Sequence, residues 1–218
     1  MQRVIFVHIP RTAGTSIKKC MQQDEDHFLL KRSWIPVTAE NTKKFILLSH
    51  TPITCLIKHA ILDEDMWNNS FKFVFVRNPW DRLVSVWKFY KGCRRQKDYS
   101  TRFLESFSIF FEKVIVNKKW IPPLGLHIHR PNFQHVLPQT NWLDKDIDFI
   151  GRFENLADDW KTICELIKMK YNVLKKTNTT KHLHYSTYYT PKMVDQTAFF
   201  YAEDIERFNY KFEDKNGE

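Results

Sequence analysis

The stretch Val7-His8-Ile9-Pro10-Arg11-Thr12-Ala13-Gly14-Thr15-Ser16-Ile17 sets a cation, hydroxyls and two small residues between an apolar run and a helix-compatible segment. Ala13 and Gly14 let the backbone approach a ligand closely. A helix starting here points its first N–H groups and a partial positive charge at that ligand. Arg11, Thr12, Thr15 and Ser16 add donors, so the loop is suited to a tetrahedral anion. The same residues also serve an ordinary strand–turn–helix connection. It is not a Walker A loop, which needs Gly-x-x-x-x-Gly-Lys-Ser/Thr, and that string is absent.

A second constellation is Phe75-Val76-Arg77-Asn78-Pro79-Trp80-Asp81-Arg82-Leu83-Val84-Ser85. Arg77 ends an apolar run, and Ser85 falls about two turns into the following helix, on a stripe with Asp81, Arg82 and Lys88. A guanidinium and a hydroxyl both suit phosphate oxygens; a salt bridge is the plain alternative for Arg77. The chain has nine histidines. His50 directly follows an apolar run, and an imidazole with a pKa of about 6.5 can act as a base at neutral pH. His8, at a strand end, reads as a packing residue, and His59 continues a helical pattern. His127, His129 and His135 lie where the pattern does not place the backbone; contact with an acceptor is one reading of them.

Together these residues resemble the sulfotransferase superfamily. His8-Ile-Pro-Arg-Thr-Ala-Gly-Thr-Ser16 is similar to its 5′-phosphosulfate loop. It is most similar to the carbohydrate sulfotransferases that resemble heparan sulfate 2-O-sulfotransferase, where the loop reads roughly His-Ile-Pro-Lys-Thr-Ala-Gly-Thr-Ser. Arg11 replaces that lysine: the charge is kept, but a planar fork replaces a point charge. Arg77 and Ser85 occupy the positions of the 3′-phosphate motif RNPxxRxxS. Asp148–Leu156 and 188–208 are similar to the strand and closing helix of the same group. The resemblance spans the chain and is weakest from Gly92 to Trp142.

The resemblance implies transfer of a sulfonate group from PAPS (3′-phosphoadenosine-5′-phosphosulfate) to a hydroxyl acceptor, a glycan in this group, releasing 3′-phosphoadenosine-5′-phosphate (PAP). Arg11 and the N–H groups from Thr12 to Ser16 would hold the sulfonate and the leaving phosphate. Arg77 and Ser85 would hold the 3′-phosphate. His50 falls where the 2-O-sulfotransferases carry their catalytic histidine. Lys181, His182, His184 and Tyr185 fall in a loop that closes over the nucleotide in the family. Trp80 is either a stacking ring or a buried one. No metal is needed.

The pattern around these residues places them. Arg3–Ile9, Phe45–Leu48, Lys72–Val76 and Asp148–Phe153 are short, branched or aromatic runs that read as buried parallel strands. Helices are expected from Thr15 to Gln23, from Pro79 to Tyr90 with Asn78 as N-cap, over Phe103–Val116, after Asn155, and from Pro191 to Phe208. Strands alternating with helices predict an α/β, P-loop-like three-layer fold: a central, mainly parallel sheet flanked by helices, with ligands at the strands' carboxyl ends. Without a repeat or linker, residues 1–218 read as one sulfotransferase domain.

Lys and Arg exceed Asp and Glu by 34 to 25, a net charge of +9. That favours an anionic partner without naming it. The basic residues are dispersed, with short runs such as Cys93-Arg-Arg-Gln-Lys97, so a nucleic-acid or acidic-glycan binder without chemistry is the weaker alternative, and nucleic acid is not expected. A P-loop kinase is the nearest enzymatic alternative; it lacks its Lys-Ser/Thr pair. The four cysteines have no metal-like spacing and read as reduced thiols. No apolar run reaches membrane-span length and no signal segment opens the chain. A cytoplasmic protein is expected, or a soluble catalytic domain with its anchor removed. Asn68 and Asn178 match the short glycosylation pattern. Oligomeric state is not readable.

Overall fold

In the computed structural model, which describes residues 3–21, 28–31, 45–49, 53–58, 62–92, 105–118, 133–175 and 183–214, the elements alternate as the pattern implies. β1 (Arg3–His8) leads through a loop into α1 (Gly14–Met21), followed by β2 (Phe28–Lys31) and β3 (Phe45–Ser49). Next come α2 (Ile53–Lys58), α3 (Glu64–Asn68), β4 (Ser70–Val76), α4 (Pro79–Gly92) and α5 (Phe107–Phe111). β5 (Phe149–Arg152), α6 (Leu156–Leu166), α7 (Pro191–Phe200) and α8 (Ala202–Phe208) complete the order.

The five strands form one sheet in the order β2-β3-β1-β4-β5, and every pairing is parallel. β1 sits at the centre because Val4-Ile5-Phe6-Val7 offers apolar side chains to both faces; all four are buried. Val4 and Phe6, with Phe73 and Phe75 of β4, pack against Ile17, Cys20 and Met21 of α1 and Trp160, Ile163 and Cys164 of α6. Alternation sends Ile5, Val7, Val74 and Val76 to the opposite face, where they are equally inaccessible.

The chain divides into two compact units, one of residues 1–77, 124–131 and 139–178, the other of 78–123, 132–138 and 179–218. The first holds the sheet with α1, α2, α3 and α6. In the second, Asn78 caps α4, its Oδ1 accepting from the N–H groups of Trp80 (3.1 Å) and Asp81 (3.5 Å), with Pro79 at the first helical position. Around α4 gathers an aromatic cluster: Phe107 lies 5.6 Å from Trp87 and 5.0 Å from Tyr189, ring centre to ring centre.

The structure departs from the sequence pattern at several points. β2 is a fifth strand that the pattern does not reveal, because Phe-Leu-Leu-Lys is too short to show a period. α1 starts at Gly14, one residue before the expected Thr15, and the Ala13 carbonyl opens it by accepting from Ser16 and Ile17. Of the helix expected over Phe103–Val116, residues 103 and 104 lie outside the described residues; from Phe107 to Phe111 it is α-helical, and it ends in a π turn, Glu112–Val116. The closing helix breaks at Tyr201, whose hydroxyl donates to the Val136 carbonyl at 2.7 Å. On the polar stripe expected along α4, Arg82 and Ser85 are both 1% exposed, since this helix is covered nearly all round.

Burial acts on the two cysteines of the first unit's core. It pushes the Cys164 thiol up to about 12, with Cys20 beside it adding to the shift. Burial also raises Cys20, against a hydrogen-bond contact to Trp160. Both folded values exceed the unfolded one, so their stabilising contribution is complete below about pH 8.5 and is lost as pH climbs towards 12. In the native protein at pH 8, peptide mapping after iodoacetamide should find Cys164 alkylated about 10³-fold more slowly than in urea. Equal rates would contradict this packing.

Candidate functional site

The loop after β1 carries its conformational strain on non-glycine residues. Arg11 and Ala13 have φ of 68° and 70°, in the left-handed region, whereas Gly14 does not. Such a conformation costs about 1–2 kcal/mol per residue. Thr12 between them lies outside that region, so the hand of the backbone alternates over three residues, a pattern that can gather N–H groups for an anion. Thr12 is fully buried, and its hydroxyl donates to the Ile9 carbonyl at 2.9 Å. That side chain braces the loop, leaving its backbone N–H as the group to offer a ligand. Ser16 is 7% exposed, and its N–H donates to the Ala13 carbonyl at 2.9 Å. The cradle of backbone donors therefore narrows to the positions before Ser16, and Thr15, half-buried, stands in the first turn of α1.

Gly14 answers to a different need. A Cβ there would fall 1.8 Å from His8 Cδ2 and 1.9 Å from its Nε2. The imidazole lies on the glycine and stacks on Phe6, with ring centres 5.8 Å apart. His8 thus packs the strand end against the start of α1.

Parallel pairing of β1 with β4 brings Arg77 to this loop. Its Nη1 donates to the Arg11 carbonyl at 3.2 Å, and its guanidinium lies 4.0 Å from the Phe153 ring centre. The Arg77 main chain is held by Gln139: Oε1 accepts from the Arg77 N–H at 2.8 Å, and Nε2 donates to its carbonyl at 2.9 Å. The sequence pattern singles out neither Gln139 nor Phe153, since one glutamine in an irregular stretch carries no periodic signal. Asp144 also acts across sequence, its carboxylate accepting from the Thr54 N–H (3.2 Å) and from the Thr54 hydroxyl at the start of α2.

The remaining expected site residues are distributed as follows. Ser85 lies in α4, in the second unit, where Arg82 is structural: its Nη2 donates to the carbonyls of His135 (3.0 Å) and Leu137 (2.8 Å). The His135 ring stacks on Tyr90. Tyr185, expected in the loop over the nucleotide, is packed inside. It is 5% exposed, and its hydroxyl accepts from the Glu213 N–H at 2.8 Å and Asn78 Nδ2 at 3.4 Å. The neighbouring His184 Nδ1 accepts from the Ser186 N–H at 3.4 Å and caps that turn. Trp80 is a buried ring, edge-on to Phe212 at 5.7 Å, with Nε1 donating to the Val194 carbonyl. His50, His59, His127, His129, Lys181 and His182 lie outside the described residues.

Against this geometry, the model of the sulfotransferase family matches residues 1–211, and the chain belongs to that family. An uncharacterized protein of Archaeoglobus fulgidus is 30% identical over 114 residues, 52% of this chain and 80% of that protein. The structure of mouse sulfotransferase SULT7A1 complexed with PAP superposes with a TM-score of 0.56, covering 94% of this chain and 84% of that one at 13% identity. The two share the P-loop-like fold. A sulfotransferase from Alicyclobacillus acidocaldarius gives a TM-score of 0.47 at 14% identity, over 96% of this chain and 95% of its own. No helix among the described residues is long and apolar enough to cross a membrane.

Two outcomes follow from this packing. Gly14→Ala should lower stability by about 1–3 kcal/mol in denaturant titrations, the usual cost of overpacking. In a His8→Ala background the same change should cost under about 0.5 kcal/mol, because the obstructing ring is gone; an undiminished cost would place the obstacle elsewhere. Burial also holds the Tyr185 phenol up at about 12, and raises Tyr189 and Tyr201. Their stabilisation is intact below about pH 10, the unfolded value, and drains away as pH passes through the folded ones. Tyr185→Phe should therefore flatten the loss of stability between pH 10 and 12, followed by unfolding monitored through phenolate absorbance. An unchanged slope would show that the hydroxyl ionises freely in the fold.

Proposed function

We propose that this chain transfers a sulfonate group from PAPS to a carbohydrate hydroxyl, by in-line displacement with His50 as the base. The observation that carries the reading is the loop after β1. Its left-handed Arg11 and Ala13, and the α1 N-terminus behind them, form a concave set of donors in a chain of the sulfotransferase family. That set fits the 5′-phosphosulfate end of the nucleotide in charge and in donor type. The PAP in the mouse relative's structure supports the same nucleotide here.

When bound, PAPS supplies an activated sulfonate whose S–O bond to the 5′-phosphate breaks as the acceptor O–S bond forms. The protein's part is to position and to stabilise charge. Arg11 and the N–H groups of Thr12, Ala13, Gly14 and Thr15 offset charge on the transferring group and the leaving phosphate oxygen. Arg77 and Ser85 are the ligands proposed for the 3′-phosphate, on the strength of the RNPxxRxxS resemblance; Lys181 and His184 are proposed at the adenosine end. His50 accepts the proton that the acceptor hydroxyl loses as it attacks. The net charge of +9 favours an acidic glycan as acceptor.

Calorimetry should find that PAP binds and that ATP with magnesium binds far more weakly. Arg77→Ala should weaken PAP by at least tenfold, the loss expected for a charge-assisted contact of about 1.5–3 kcal/mol. His50→Ala should retain PAP affinity while labelled sulfonate transfer from PAPS falls by about 10²–10⁴, the usual worth of a general base. Transfer is scored against a panel of glycans, lipids and phenols. Full turnover in His50→Ala removes the base assignment, label on lipids or phenols alone removes the glycan, and absence of PAP binding removes the whole reading.

A further inference from the structure

Gln139 is fully buried at the start of a short 3-10 turn, Gln139–Trp142. Its primary amide reaches across to a residue far away in sequence and bonds both polar groups of its main chain. The position of that residue explains the need. β5 pairs with β4 as far as Arg152 opposite Val76, and the ladder then ends. Arg77 comes next, 7% exposed, with a backbone N–H and carbonyl that must find partners away from water. The Gln139 amide presents an acceptor and a donor in the geometry of a peptide group, so it supplies the two bonds that one more strand residue would have made.

We propose that Gln139 is the positioning residue for Arg77. Bonds on both sides of the Arg77 Cα restrain its φ and ψ together, and so set the direction in which the side chain leaves the strand end. From that origin the guanidinium lies over Phe153 and reaches the Arg11 carbonyl, at the distances given above. A side chain held from its backbone outward spends less freedom on meeting a phosphate, which is how a supporting shell preorganises a binding group. Glutamine has the right length and both polar groups: asparagine is one methylene shorter, leucine has the bulk without the bonds, and glutamate keeps the acceptor but loses the donor.

The inference rests on the reading of Arg77 as a ligand of the donor nucleotide, and the test separates the two. PAP is titrated calorimetrically into the wild type, Gln139→Leu, Gln139→Glu, Arg77→Ala and the Arg77→Ala/Gln139→Leu double variant, each with its melting temperature recorded. Gln139→Leu should weaken PAP about tenfold in the wild-type background and less than about twofold in the Arg77→Ala background, since coupled residues are not additive. Gln139→Glu, with one of the two bonds kept, should fall between the wild type and Gln139→Leu, and it stands in where the leucine variant does not fold. A merely structural role would produce the same loss in both backgrounds, and that result overturns the proposal, as does an unchanged affinity in either single Gln139 variant. Wild-type affinity in Arg77→Ala is a separate failure: it removes Arg77 as a ligand and the positioning role with it.

Discussion

The parallel pairing of β1 with β4 is the constraint on which the site depends. In a parallel sheet, strands far apart in sequence end at the same edge, so whatever follows each of them is brought together. Val7 stands opposite Val74; a few residues further on, one chain segment becomes the loop before α1 and the other becomes Arg77. The hydrogen bond from Arg77 Nη1 to the Arg11 carbonyl is the visible result. The central apolar strand fixes this register through burial, because a slip by one residue would turn Phe6 and Val7 to the wrong faces. Packing far from the polar groups therefore decides where they meet.

The loop after β1 places no glycine at its strained points. Arg11 and Ala13 adopt a conformation that L-residues disfavour. Hydrogen bonds offset that cost: Thr12 to the Ile9 carbonyl, Ser16 and Ile17 to the Ala13 carbonyl, and Arg77 to the Arg11 carbonyl. Glycine instead appears where space runs out, under the His8 ring. A lysine at position 11 would meet the same backbone demand. The choice between the two residues bears on how the side chain grips a ligand, not on how the loop folds.

Much of this was legible in the residues themselves. The branched, apolar runs at 3–9, 45–48 and 72–76 announce buried strands, and Asn78-Pro79 announces a helix start, because these signals are local. The motifs carried the loop and Arg77 together. What stayed hidden is non-local. β2 is a strand only because β3 pairs with it. The stripe of Arg82 and Ser85 does not reveal its burial, because amphipathic reasoning assumes one wet face, and α4 has almost none. Tyr185 looks like a lid residue in a polar loop, yet the chain's last described segment covers it. Gln139 has no pattern to belong to, since its meaning lies entirely in the carbonyl and N–H it happens to face.

The most compressed case is the pair Arg77–Asn78, adjacent in sequence and assigned to different units. Arg77 is secured by Gln139, Phe153 and the loop carbonyl, all of the sheet-bearing unit. Asn78 caps α4 with its carbonyl oxygen, while its amide nitrogen donates to the Lys211 carbonyl at 2.9 Å and towards the Tyr185 hydroxyl. One side chain thus starts a helix and ties down the Lys211 carbonyl, and the residue before it follows the strand and bonds the loop after β1. Neither role can be taken over by its neighbour: arginine has no acceptor with which to cap, and asparagine has neither the charge nor the reach of a guanidinium. An Arg-Asn-Pro sequence thus serves a strand-to-helix transition in which the residue just past the strand also reaches the loop after β1.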